Sequence, residues 1–216
     1  MMKFCSLFSG SSGNSIFLGT GDTKLLIDAG LSAKRILEAL VSIGEKPSDL
    51  SAVLISHEHS DHIRGAGILS RKLDIPIYAS EGTWEAIEKE IGPVNIKNKR
   101  CFKTGEEFEV NGVCVRSFSI PHDAAEPVGF NFFAGDKKVT VATDIGHMRR
   151  ELLDCFDMSD LILLESNHDI EMLKVGPYPY WLKKRIMGDS GHLSNEMAGK
   201  TIAYMAERGT KRFLLG

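Results

Sequence analysis

The apolar run Ala52-Val-Leu-Ile55 leads directly into Ser56-His-Glu-His-Ser-Asp-His62, so three of the seven histidines and a carboxylate fall within six residues. Such a cluster at the end of a buried strand constrains the fold strongly. It requires an architecture in which strand ends meet at one edge and polar side chains converge there. Side chains two apart on an extended backbone point the same way, so His57 and His59 face one position. A turn after Ser60 then directs Asp61 and His62 toward a second position nearby. Imidazole and carboxylate together suit zinc, manganese or iron. No cysteine is placed to join them.

The rest of the pattern predicts a layered α/β protein. Lys24–Ile27 reads as a strand ending at Asp28-Ala-Gly30. Ser32 caps a helix with Ile36, Leu37, Leu40 and Ile43 on one face, closed by Gly44. Residues 64–72 and 81–91 have helical spacing. Glu107–Val110 and Val113–Ile120 form a hairpin about Asn111-Gly112. Val128–Phe133 and Lys138–Ala142 pair across Gly135-Asp136. Leu161–Leu164 is a buried strand. Ser194 opens a last helix with Ala198, Thr201, Ile202 and Met205 inside and Gly209 beyond it. Residues 212–215 form a final strand. Strands come in groups with helices between them, which favours two packed sheets over one parallel sheet. Four strands end in polar residues: Asp28, His57, Asp144 and Glu165. There is no sequence repeat, low-complexity tract or linker.

At 216 residues and 43% apolar content, the chain suits one domain, 1–216, with a full core. The formal charge of −3 neither favours nor excludes a polyanionic partner, because a bound metal pair adds positive charge. Cys5, Cys101, Cys114 and Cys155 show no C-x-x-C spacing and read as reduced, mostly buried thiols. No apolar run reaches membrane-spanning length, and the first fifteen residues turn polar too early for a signal peptide. A cytoplasmic protein without a membrane partner is expected.

His57-x-His59-x-Asp61-His62 after a buried strand resembles the signature of the metallo-β-lactamase fold superfamily. The resemblance continues in order along the chain, through Asp28 in LLIDAG, His122 in SIPHDA and Asp144 in VTVATDIG. It implies a four-layer αβ/βα sandwich with two divalent metals, zinc or manganese, at one edge. His57, His59 and His122 would hold one metal, Asp61 and His62 the other, and Asp144 would bridge. Asp28 would orient the metal loop from behind. A bridging carboxylate keeps two cations roughly 3.5–4 Å apart, and their bound water becomes a nucleophile near neutral pH.

Other stretches narrow the branch. The opening SLFSGSSGNS is similar to that of the small bacterial YycJ/WalJ-like exonucleases. Within it Ser11, Ser12, Gly13 and Asn14 read either as a phosphate cradle or as a flexible hairpin loop. Leu163-Leu-Glu-Ser-Asn-His-Asp169 and Gly188-Asp-Ser-Gly-His-Leu-Ser-Asn195 resemble the Glu and His motifs of tRNA 3′-processing and YycJ-like nucleases. There His192 would donate a proton near the scissile phosphate, ordered by Glu165. His168 reads equally as a substrate contact or a surface residue. Gly176–Arg185, GPYPYWLKKR, offers aromatics to stack on bases and a basic run for phosphates, or equally a helix start with a solvated basic face. The 47 residues between Asp144 and His192 are too few for an inserted β-CASP domain, and no flavodoxin-like half is present. The resemblance also implies a further metal histidine after the last strand, in an H-L-S pattern. The sequence reads Lys211-Arg-Phe-Leu-Leu-Gly216 there, so a weaker second metal site is expected.

The expected activity is therefore that of a metal-dependent phosphodiesterase, a 5′-to-3′ exonuclease on DNA rather than RNA, using a metal-bound hydroxide. Two alternatives stay open: a hydrolase of a small ester, thioester or cyclic phosphodiester on the same metals, and a non-catalytic, metal-dependent nucleic-acid-binding protein.

Overall fold

The computed structural model describes residues 2–216. The described residues form two compact units, those up to Val115 with Ala124–Glu126, and Arg116–Asp123 with Pro127–Gly216.

The first unit holds a six-stranded sheet in sequence order: β1 (Met2–Phe8), β2 (Ser15–Thr20), β3 (Thr23–Ile27), β4 (Ala52–Leu54), β5 (Ile77–Ser80) and β6 (Lys99–Phe102). The first three strands are antiparallel, and β3 to β6 run parallel. Parallel neighbours need crossovers, supplied here by α1 (Ala33–Ser42), the short α2 (Ser60–Ile63), α3 (Ala66–Leu73) and α4 (Glu81–Ile87). Ser32 caps α1 as its sequence predicts, accepting from the Arg35 N–H, and Gly44 follows the helix at φ 80°. Ile36 and Leu40 of α1 pack with Phe17, Leu26, Val53 and Leu69 in a core with almost no solvent exposure. Burying each such side chain contributes roughly 1.5–3 kcal/mol. The helix expected over 81–91 stops at Ile87, just short of Ile91 and Gly92, whose φ is 72°.

The second sheet has the order β12-β11-β10-β9-β8-β7, from β7 (Glu107–Val110), β8 (Val113–Ser119), β9 (Val128–Ala134), β10 (Lys137–Ala142), β11 (Leu161–Leu164) and β12 (Phe213–Leu215). Again an antiparallel pair, β9 and β10, leads into parallel strands, β10 to β12. The Asn111-Gly112 turn has both residues at positive φ, 46° and 84°, as a type I′ hairpin turn needs. Helices α5 (Arg150–Phe156) and α8 (Asn195–Glu207) cover this sheet through Leu152, Phe156, Ala198 and Met205. Between them lie α6 (Ile170–Val175) and α7 (Tyr180–Ile186).

The cysteines depart from expectation. Cys101 is exposed and Cys5, Cys114 and Cys155 are only partly buried, so none sits in a core. Cys5 and Cys155 pack at the margins of the two cores. Among the described residues, no helix is long and apolar enough to cross a membrane.

Candidate metal centre

In the first unit the polar cluster is built at the ends of the adjacent parallel strands β3 and β4. Asp28, directly after β3, is fully buried and adopts φ 60°, a left-handed conformation that aspartate tolerates better than most residues. Its Oδ1 accepts from the Ser56 N–H at 2.8 Å, and its Oδ2 accepts from the Ser56 hydroxyl and from His62 Nδ1, both at 2.8 Å. A carboxylate can only accept, so His62 carries its proton on Nδ1 and presents Nε2 as a lone pair. The Ser56 hydroxyl oxygen also lies 3.0 Å from His57 Nδ1 and accepts from it, which leaves His57 Nε2 for another partner. This is how ligating histidines are oriented: the second ring nitrogen is tied down by a protein acceptor.

The donor spacings fit metals. His57 Nε2 and His59 Nδ1 converge to 3.0 Å. A tetrahedral zinc with bonds of 2.0–2.1 Å separates its nitrogen ligands by about 3.3 Å. Asp61 Oδ2 and His62 Nε2 form a second such pair at 3.5 Å.

The loop Gly10–Asn14 fastens this cluster. Asn14 N–H donates to the Asp61 carbonyl at 2.8 Å, and the Asn14 carbonyl accepts from Gly30 N–H at 2.8 Å. Asn14 Oδ1 accepts from Gly10 N–H at 2.9 Å, while Nδ2 reaches Asp61 Oδ2 at 3.3 Å and His62 Nε2 at 3.0 Å. Gly30 must lack a side chain, because a Cβ there would fall 1.6 Å from the Asp61 carbonyl oxygen. Of the four proposed phosphate-cradle residues, Ser11 and Ser12 are exposed, Gly13 is buried against Gly30, and Asn14 divides its polar groups among Gly10, Gly30 and the Asp61-His62 turn.

The second unit builds its cluster in the same way, at the ends of the parallel strands β10 and β11. Asp144, two residues beyond β10, adopts φ 54°. Glu165, directly after β11, is buried; its Oε2 accepts from Ile145 N–H at 2.6 Å and Leu193 N–H at 2.9 Å, and its Oε1 from His192 Nδ1 at 2.7 Å. Both Glu165 oxygens are thus engaged, and Oε1 fixes the His192 ring. Asp144 Oδ1 lies 3.5 Å from the same His192 nitrogen, and Asp144, Glu165 and His192 each bring one donor atom within 4.8 Å of the others. His122 Nδ1 donates to the Gly191 carbonyl at 3.0 Å, again directing Nε2 outward.

Electrostatics separate the two histidines of this unit. Burial holds His122 below the ordinary histidine pKa and keeps its imidazole neutral, as a ligand requires. Burial also opposes charge on His192, but the hydrogen bond and charge of Glu165, with the Asp144 charge, outweigh it and raise the pKa. Glu165 is itself raised, chiefly by burial, so the pair retains a proton readily. His168 is half-buried with Nδ1 unpartnered, and burial followed by the nearby His192 charge lowers its pKa. Its backbone bridges to Ser194 beside His192.

Sequence reading alone did not pick out Ser56, Asn14 as a fastener, or His147, whose Nδ1 donates to the Asp189 carbonyl at 2.6 Å. One signal was available. Asp28-Ala-Gly30 and Asp144-Ile-Gly146 share the spacing D-x-G, and in both the glycine admits the backbone of a histidine-bearing loop. A Cβ on Gly146 would lie 2.2 Å from the Asp189 carbonyl oxygen.

Comparison with known proteins agrees with this architecture. A family model described as the β-lactamase superfamily domain matches residues 23–215. The exodeoxyribonuclease WalJ of Streptococcus pneumoniae serotype 2 is 43% identical over 216 residues, covering 99% of this chain and 80% of that protein. The exodeoxyribonuclease YycJ of Bacillus anthracis is 41% identical over 215 residues, covering 99% and 81%. Among solved structures, the metallo-β-lactamase fold protein YhfI of Bacillus subtilis superposes over 100% of this chain and 85% of its own, with TM-score 0.75 at 18% identity.

Proposed function

Since this chain belongs to the β-lactamase superfamily, we propose that it is a metal-dependent phosphodiesterase, an exonuclease that degrades DNA from the 5′ end. Two divalent metals, zinc or manganese, would be held by His57, His59, Asp61 and His62 of the first unit and by His122 and Asp144 of the second. When bound, such a pair supplies a water that is nucleophilic near neutral pH and positive charge for the phosphate oxygens. The chain's own residues do the remaining work. Asp28, Ser56 and the Gly191 carbonyl hold the histidine rings, so the donors need no reorganisation when the metals enter. Asp61, beside His62, would serve both as a metal ligand and in the reaction.

One observation carries the choice of reaction: His192 is held through Nδ1 by the buried Glu165 carboxylate, at 2.7 Å, beside Asp144. That arrangement leaves Nε2 to hand a proton to a departing oxygen. A nucleotide's sugar alkoxide is a poor leaving group and needs that proton. A thiolate, from a thiol of pKa about 8.5, leaves without one. The relatives named exodeoxyribonucleases support DNA as the substrate.

Strand-specific digestion tests the reading. Oligodeoxynucleotides labelled at either end, and matching RNA, are incubated with manganese, zinc or magnesium, with bis(p-nitrophenyl) phosphate in parallel. A 5′ label released at once as mononucleotide, with a 3′-labelled strand shortening gradually, is expected. Hydrolysis of small esters alone, or DNA binding without turnover under every metal, would overturn it.

A further inference from the structure

We propose that the α6–α7 arm is a stacking platform for single-stranded DNA, which guides the strand to the reaction centre. The proposal rests on the nuclease reading and adds a binding surface to it.

Of the eighteen residues Ile170–Met187, Leu173 alone is buried, and α7 has no buried residue at all. Yet the arm carries large apolar side chains: Tyr180 is 73% exposed, Trp181 66% and Tyr178 53%. Leaving aromatics in water forgoes a large burial gain, and an exposed patch of this kind marks an interaction surface. Pro177 and Pro179 flank Tyr178, and Pro179 stands immediately before α7, so the aromatic corner is stiff before any ligand arrives. Lys183 Nζ donates to the Lys174 carbonyl at 2.7 Å and joins α7 to α6.

Charge selects the partner. The chain as a whole carries −3, but the arm has four basic residues, Lys174, Lys183, Lys184 and Arg185, against one acidic residue, Glu171. Lys184 Nζ sits 5.6 Å from the Tyr180 ring centroid, placing a cation beside a stacking face. Aromatic faces interleaved with cations suit a strand of bases and phosphates. A second copy of the chain fits poorly, since a two-fold contact would set one basic arm against another.

The arm is also attached to the chemistry. His192 N–H donates to the Ile186 carbonyl at 2.9 Å, at the end of α7. Gly191, whose carbonyl holds His122, is pressed so closely on α7 that a Cβ would lie 2.2 Å from the Arg185 carbonyl oxygen. Arg185 Nε donates to Asp123, next to His122, at 2.6 Å. Trp181 lies about 7–8 Å of helix rise before Ile186. With bases stacked about 3.4 Å apart, that is a spacing of roughly two nucleotides.

The test uses the full-length, metal-loaded protein and a hydrolysis-resistant phosphorothioate oligothymidylate. The chain has two tryptophans, so Trp84→Phe leaves Trp181 as the sole tryptophan reporter. Saturable quenching of its fluorescence is expected. Trp181→Ala and Tyr180→Ala should each weaken binding roughly 5- to 150-fold, the range for losing one stacked base. KM for DNA should rise accordingly, with bis(p-nitrophenyl) phosphate turnover unchanged. Trp181→Phe should restore most of the affinity, and Lys184→Gln should flatten the salt dependence. DNA digestion with wild-type KM by the Trp181→Ala/Tyr180→Ala variant overturns the platform and leaves the nuclease reading intact. So does a dimer that dissociates on Trp181→Ala while DNA affinity is unchanged. Quenching by oligothymidylate in a protein that digests no DNA would do the reverse, upholding the platform and removing the nuclease activity.

Discussion

The D-x-G corner at Asp28 and the one at Asp144 share a backbone and differ in chemistry. Each follows the middle strand of an antiparallel-then-parallel trio, β2-β3-β4 or β9-β10-β11. Each aspartate is left-handed, and each glycine lies under the carbonyl of a loop that carries a histidine. At the first corner the aspartate is fully buried and itself grips His62. At the second, that duty passes to Glu165 at the end of the neighbouring strand, and the Asp144 side chain keeps 13% of its surface exposed. The first corner therefore holds a histidine ring, while the second is proposed to supply a ligand itself. Burial decides which, because an engaged, fully enclosed carboxylate cannot also face a cation.

The largest effect that would break this contrast is at Asp144. Asp144→Ala should abolish DNA turnover and lower metal affinity by at least about 100-fold, more than loss of an outer partner. Asp28→Asn should leave measurable turnover and cost nearer 10-fold in metal affinity. Metal analysis by mass spectrometry after dialysis checks both, and equal losses would make the two corners chemically equivalent.

Next in size is His192→Ala. It should retain metal but slow DNA hydrolysis by about 10²–10⁴-fold, the usual contribution of a positioned general acid. Hydrolysis of bis(p-nitrophenyl) phosphate, whose leaving group needs no proton, should hardly change. Slowing of both substrates alike would remove His192 from proton transfer.

The two glycines sharpen the structural half of the comparison. Gly30→Ala and Gly146→Ala each place a methyl group inside a backbone contact and should cost about 3 kcal/mol. Calorimetry should show the melting temperature falling by roughly 6–12 °C in each case. A tolerated Gly30→Ala would mean that the Asp61 loop can move away and is not clamped.

The smallest effect separates the two roles offered for the N-terminal loop. Asn14→Ala should weaken metal binding about 10-fold, because the Asn14 amide ties Gly10 to the Asp61-His62 turn. Ser12→Ala, at an exposed hydroxyl, should leave metal content unchanged. Isothermal titration with manganese or zinc distinguishes them, and a reversed order would return the loop to a purely phosphate-facing role.

Much of the first unit's cluster could be read directly, because its donors are contiguous: strand periodicity carries His57 and His59 to one side, and one turn supplies Asp61 and His62. Capped helices such as α1 and the Asn111-Gly112 hairpin were equally legible, since local backbone preferences dictate them. The strands β1, β2, β5 and β6 and the helices α5 to α7 had no such signal. β5 and β6 are held by parallel neighbours distant in sequence, β1 has no fully buried residue, β2 is buried on both faces and so shows no alternation, and α7 buries nothing that would impose a helical apolar stripe. Strand-end position marked Asp144 and Glu165, but His122 and His192 could be placed only by resemblance, since the four lie more than twenty residues apart and His192 sits in the loop between α7 and α8.

The sequence by itself determined which side chains are available for the proposed chemistry: the imidazoles and carboxylates, and the strand that delivers the first of them. Tertiary structure alone decided how those groups are used. Which ring nitrogen points outward depends on Asp28, Ser56 and the Gly191 carbonyl, brought together by sheet register and loop packing. Which carboxylate supports and which faces outward depends on burial. Both are properties of neighbours that the chain places side by side only once it has folded.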